Sequence, residues 1–397
     1  MPFRPNTRAL TALLGLLTAM GPLATDMYLP SLPVMAREFQ VTADVAQYTL
    51  SSFLLGFAAG QLVYGPLGDR FGRRPVLLAG LALFTLASAV CAIAPSADAL
   101  IAARFVQALG GAGPVVLARA IVRDLYSGPR AGRELALMGM VMGVVPAIAP
   151  VFGAGLEATF GWRSSFLAMF LSGVFGWGVV WWALPETLHT RAARLHGPRE
   201  MLATYAVLLR NGGYRAHGLL MSIAYGGLFT WISASSFVLQ DIYGLSEFGF
   251  AAAFTTGVAG FVTGSWIGAR LVVRHGIGRT LGVGCGFLLA GGMLLLVSVS
   301  IGFGHAAEVV LPIMVYLVGI GLVMPQGMAG ALQPFPERAG AASSLVGFVQ
   351  MSFAAFMGVV IGHMLSGALP LAIIMAVIGV VTTAFYLTTR EARALVG

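Results

Sequence analysis

From one end of the chain to the other, apolar residues come in runs of about 20, cut by short clusters of Arg, Asp, Gly and Pro. A helix rises 1.5 Å per residue, so about 20 apolar residues cross the roughly 30 Å hydrocarbon core of a bilayer. The runs predict twelve membrane helices near 9–34, 46–68, 75–95, 98–122, 134–157, 163–185, 216–240, 249–272, 280–302, 308–331, 340–364 and 368–388. The first run continues through Tyr28, Pro30 and Pro33 without a short apolar core leading to a cleavage site of small residues. It is therefore read as the first helix and not as a signal peptide.

The longest hydrophilic stretch, 185–215, divides the spans six and six. An all-α polytopic membrane protein of two six-helix lobes is expected, with an N-terminal lobe over 1–185, a cytoplasmic linker over 186–215 and a C-terminal lobe over 216–397. An internal echo supports the division, because Arg70 and Gly72 after the second span recur as Arg274 and Gly276 after the eighth, 204 residues later. Parallel six-helix repeats of this kind characterise two-lobed secondary transporters, whose substrate site lies between the lobes near mid-membrane. Glycines four residues apart, Gly56 with Gly60 and Gly260 with Gly264 and Gly268, are read as close helix contacts within each lobe.

Composition narrows the function. Of the 397 residues 58% are hydrophobic and 10% charged, against roughly 25% charged in a soluble domain. All 23 basic residues are Arg, which excludes a Walker lysine or a Schiff-base lysine and hence an ATPase of the chain's own. The net charge of +8 lacks the soluble basic surface that nucleic acid would require. Arginine placement explains it instead: 19 lie in the loops on the side of the termini, only Arg37 and Arg163 in the opposite loops, and Arg104 and Arg119 within a span. The positive-inside rule then puts both termini in the cytoplasm. Cys91 and Cys285 lie inside apolar runs and suggest neither a disulfide nor a metal site. No hydrolase, zincin or dinucleotide motif is present, so no enzyme activity, metal or organic cofactor is expected.

The sharpest candidate is Asp26, read as the only acid deep inside a span, about 16 Å inward from Arg37. A carboxylate at that depth costs several kcal/mol unless protonated, paired or wetted. Either a site that gains and loses a proton or a static pair fixing helix packing would account for it. Arg104 lies at comparable depth in the fourth span and is the available partner, with Gln107 one turn further on the same face. Arg119, one turn from Arg123, is read as snorkelling to the headgroups. A second constellation is the run Gly65-Pro66-Leu67-Gly68-Asp69-Arg70-Phe71-Gly72-Arg73-Arg74-Pro75, expected as a tight turn in which Asp69 latches onto an Arg or a helix N-terminus. The spans carry few hydrogen-bonding side chains and many aromatic and Met residues. Tyr28, Phe57, Tyr225 and Trp231, together with Gln107, are the candidate walls of an adaptable, largely apolar cavity.

The eleven-residue run resembles the signature loop of the major facilitator superfamily. Thr25-Asp26-Met27-Tyr28-Leu29-Pro30, Gly161-Trp162-Arg163 and Ala339-Gly340-Ala341-Ala342-Ser343-Ser344 resemble the Bcr/CflA group, the bicyclomycin and chloramphenicol resistance transporters. The resemblance covers nearly the whole chain. It implies the major facilitator fold in a bacterial inner membrane, exporting a small drug in exchange for protons, with the lipid bilayer as surroundings and a monomer as the expected state. By position it makes Asp26 the protonation site, Arg104 the fourth-helix Arg that tunes it, and Asp69, Arg70 and Arg73 the gate latch. The chain departs from the motifs of many drug antiporters in two places: Ala108 follows Gln107 where a Gly is usual, and the fifth-helix antiporter motif is respaced as Gly143, Pro146, Pro150 and Gly153. The second-half turn also carries Val273 where the first has Asp69. Scarce cavity polarity and a lone deep acid point to neutral or zwitterionic substrates. Proton-coupled import of a small nutrient is the alternative on the same fold, and a non-transporting membrane subunit a third.

Overall fold

The computed structural model describes residues 7–126, 128–188 and 198–394, and every regular element among them is helical. The main helices are α1 (Arg8–Asp26), α2 (Leu32–Glu38), α3 (Ala43–Phe71), α4 (Arg73–Ala92), α5 (Ala97–Leu125), α6 (Gly128–Phe160) and α7 (Arg163–Ala183). After them come α8 (Pro198–Arg210), α9 (Gly212–Ser236), α10 (Glu247–Ile301), α11 (Ala307–Leu332), α12 (Ala339–Met364), α13 (Ala368–Thr388) and α14 (Arg390–Ala394). Side chains of Thr7, Ser96, Asn211 and Ser246 accept from backbone amides three residues on and so start α1, α5, α9 and α10.

Eleven helices are long and apolar enough to cross a membrane among the described residues. One of them, α10, has 55 residues, roughly 80 Å of helix and far too much for one crossing. Gly276, at φ +76°, breaks it into two spans, a conformation that glycine adopts without strain. The expected loop between the eighth and ninth spans is thus a single glycine, and the count of twelve stands. The first span is also interrupted: α1 ends at Asp26, a 3-10 turn covers Leu29–Ser31, and α2 completes the crossing. The expected linker holds a helix of its own, α8, while its residues 189–197 lie outside the described residues.

The helices gather into two compact units. The first comprises the described residues up to Ser31 and Ser52–Arg199; the second comprises Leu32–Ser51 and the described residues from Glu200 on. Glycines set the packing inside each. In the first, Gly56 faces the Phe105 carbonyl and Gly60 the Ala112 methyl; in the second, Gly260 and Gly264 face the carbonyls of Met314 and Val318. Any side chain at these positions would push the helices apart. Large apolar side chains such as Leu86, Ile93, Trp182 and Val297 point outward, as suits a surface bathed in lipid rather than water.

Candidate functional site: a buried carboxyl and a caged arginine

Pro30 and Pro33 follow α1 closely, and the chain leaves the α-helix at Met27 to form the 3-10 turn. The break places Asp26 in the last turn of α1, where it is 3% exposed. Its Oδ1 accepts a hydrogen bond from Thr25 Oγ1 at 2.9 Å. Arg104 of α5 is fully buried beside the same turn. Its Nη2 donates to the Ala24 carbonyl at 2.9 Å and its Nη1 to Gln107 Oε1 at 2.5 Å. The guanidinium centre lies 4.2 Å from the Phe53 ring, 4.4 Å from Tyr28 and 5.6 Å from Phe166. Gln107 passes the chain of bonds on, donating to Ser88 Oγ at 2.7 Å.

The two charged residues share one patch without forming an ion pair. Ion pairs do join Arg37 with Asp241, Arg73 with Asp69, and Arg73 with Asp124. Arg104 is balanced by a carbonyl, an amide and three aromatic faces, each face worth about 0.5–2 kcal/mol. The geometry therefore leaves the Asp26 carboxyl without a fixed cation, and a protonated or wetted carboxyl is the state such burial favours.

Tyr28 and Gln107, read from sequence as cavity walls, are fully buried parts of the Arg104 cage. Phe57 stacks on Phe53 with 6.1 Å between centroids and packs over Gly21 of α1. In the second unit Trp231 is buried against Phe254, whereas Tyr225 is half-buried, with its ring 4.9 Å from Phe229 and its hydroxyl directed at Met351 Sδ. Arg119 reaches across to Met142 Sδ of α6.

The Gly65–Pro75 run is less of a turn than the sequence suggests. Helix α3 continues through Gly65, Pro66, Gly68, Asp69 and Arg70, and the reversal is made by Gly72 alone, at φ +103°. Close approach explains Gly68, since a Cβ there would meet Leu117 and Arg73. Arg73 is 7% exposed and bridges two acids, Asp69 at 2.6 Å and Asp124 of α5 at 2.9 Å. Glu186, just past α7, accepts from the backbone amides of Arg73 at 2.9 Å and Arg74 at 3.3 Å, satisfying the exposed N-terminus of α4. Arg74 lies over the Trp181 ring.

Sequence reasoning missed Asp124 and Glu186, although an acid at a helix end beside an arginine cluster is the usual mark of such a partner. It named Asp26 as the only acid deep inside a span and did not consider acids at the span ends. Helix α6 carries two more, both buried: Glu134 accepts from Thr11 Oγ1 at 2.7 Å, and Glu157 accepts from Ser31 Oγ. Their positions at the two ends of the span made them look like loop residues. The helix runs unbroken through Pro146 and Pro150. Gly143 has no neighbour within 4 Å of an added Cβ, whereas Gly153 lies directly against the Met27 carbonyl.

Residues 14–359 match the sequence profile of the Major Facilitator Superfamily. The chain belongs to this superfamily. It is 31% identical over 387 residues to a bicyclomycin resistance protein homolog of Haemophilus influenzae, covering 96% of each chain. With a chloramphenicol resistance protein of Pseudomonas aeruginosa it shares 30% identity over 346 residues, covering 86% of this chain and 81% of the relative. Among solved structures, the xylose transporter XylE of Escherichia coli in a partially occluded inward-open conformation superposes with a TM-score of 0.75 at 15% identity, covering 96% and 97% of the two chains. The first two agree with the Bcr/CflA resemblance of the motifs, and the third with the major facilitator fold. This facilitator is accordingly a multi-pass membrane protein of a transporter family.

Proposed function

We infer that the protein exports small, largely apolar antibiotics, neutral or zwitterionic, by alternating access in exchange for protons, from a bacterial inner membrane with both termini in the cytoplasm. The observation that carries the reading is the Asp26 carboxyl, buried in a broken membrane helix, held by the Thr25 hydroxyl and left without an ion pair although Arg104 donates to the carbonyl of Ala24, two residues earlier. Such a group can change protonation state without dismantling a salt bridge. Drug and proton then lower each other's affinity, which is the linkage an exchanger requires. The resistance-protein relatives support drugs as the cargo. The ring and thioether surfaces of Tyr225, Phe229 and Met351 support an apolar one.

The experiment is a proton-release measurement. Purified protein in weakly buffered detergent is mixed with chloramphenicol, and separately with bicyclomycin. Release from wild-type protein with at least one of them, and none from folded Asp26→Asn, is the expected result. Retained proton-driven efflux by Asp26→Asn in liposomes would remove Asp26 from coupling.

A further inference from the structure

Glu157 is another acid of the first unit that the sequence did not single out, and its helix packs against α1 and the 3-10 turn that follows Asp26. Helix α6 touches the broken part of the first span twice. Gly153 lies against the Met27 carbonyl, and one turn later Glu157 accepts the hydroxyl of Ser31, which is itself fully buried. Asp26 adjoins Met27, so the backbone of Glu157 sits roughly 7 Å beyond that of Asp26 along the helix axis. It is three residues from the end of α6 at Phe160, at the face opposite the Arg-rich turns, and 9% exposed. One carboxylate near the surface and another deeper, flanking an irregular segment, is an arrangement for passing protons.

We propose that Glu157 is the station through which Asp26 exchanges its proton with the side of the membrane opposite the Arg-rich turns, with Ser31 holding it in place. The proposal rests on the proton-coupled reading above. The step makes and breaks only O–H bonds: a proton binds a Glu157 carboxylate oxygen, leaves it, and is received by the Asp26 carboxylate, with water bridging the gap. Ser31 suits its part because a hydroxyl can turn, donating to the carboxylate and accepting from the acid. The charged side chain nearby on α7 is Arg163, whose Nη2 reaches the Ala94 carbonyl at 3.5 Å and whose guanidinium lies over Trp162. Glu134 with Thr11 makes a similar pair at the other end of α6. Thr11 precedes Asp26 by 15 residues of helix, roughly 22 Å, so Glu134 is too far away to serve it.

A structural pin and a proton station respond differently to Glu157→Gln, since the amide oxygen still accepts from Ser31 but carries no proton. The test is a pH jump on the full-length protein in detergent, followed by infrared spectroscopy of the protonated carboxyl band that Asp26→Asn removes. In Glu157→Gln the Asp26 band should rise about tenfold more slowly than in wild type to the same final amplitude. Glu157→Asp should recover much of the rate, and Glu134→Gln should match wild type. An unchanged rate in Glu157→Gln overturns the proposal, as does a loss of final amplitude, which would mark a structural role. Should Glu157→Gln fail to fold, Ser31→Ala is read in its place, slowed by about threefold if Ser31 positions the acid. A wild-type protein with no Asp26-dependent band would instead refute proton coupling at Asp26 itself.

Discussion

Arg104 donates to the carbonyl of Ala24, two residues before Asp26, and not to the carboxylate. The buried cation thereby fixes the backbone of the last regular turn of α1 while leaving the acid chemically free. This division of labour depends on the planar fork of a guanidinium, which reaches Ala24 and Gln107 at once while lying among the rings of Phe53 and Tyr28.

Arg104→Lys should for that reason not be conservative. A lysine ammonium is a point charge that cannot reproduce the fork or the stacking, and about 2 kcal/mol of stability should be lost. Thermal unfolding of the purified protein in detergent measures it. A melting temperature equal to that of wild type would show that the cage does not hold α1 to α5.

The α1–α6 contact gives a paired prediction. A Cβ at Gly153 falls on the Met27 carbonyl, so Gly153→Ala must spread the two helices and should cost about 1–3 kcal/mol. Gly143, on the same helix, has open space around it, and Gly143→Ala should be neutral or stabilising by up to about 1 kcal/mol. Equal effects of the two substitutions would contradict the close approach.

Much of the fold was legible because lipid enforces a simple rule: about 20 apolar residues per crossing, with arginine between. The exceptions have local causes. Gly276 between Arg274 and Arg279 looks like a loop, yet one glycine in the left-handed region suffices to separate two spans. Asp26 and Arg104 stood out as charges in apolar runs. Sequence gives their depth but not their direction around the helix, so the absence of an ion pair could not be read. Asp124 and Glu186 went unnoticed because an acid at a helix end looks solvated until the neighbouring arginine cluster is folded against it.

Topology can be checked at Arg199, at the start of α8. With 19 of the 23 arginines on the side of the termini, a reporter fused there should give a cytoplasmic signal. An extracytoplasmic signal would rule out the even number of spans on either side of the linker.

The Arg73 bridge predicts unequal roles for its two acids. Asp69 is half exposed, with 49% of its side chain accessible, and pairs with Arg73 one turn away; Asp124 is 16% accessible and ties Arg73 to a different helix. Asp69→Asn should therefore cost less than about 1 kcal/mol of stability, as exposed pairs do. Asp124→Asn should cost about 2–3 kcal/mol, because it leaves a nearly buried guanidinium with a single exposed partner. Both should slow transport more than they weaken drug binding, since a latch between α3, α4 and α5 changes the balance of conformations without touching the Asp26 region. The measurement is chloramphenicol or bicyclomycin binding and transport on the same purified preparations, alongside thermal unfolding. Parallel loss of binding and transport in folded protein would show that Asp69 and Asp124 shape the drug site and are not a latch.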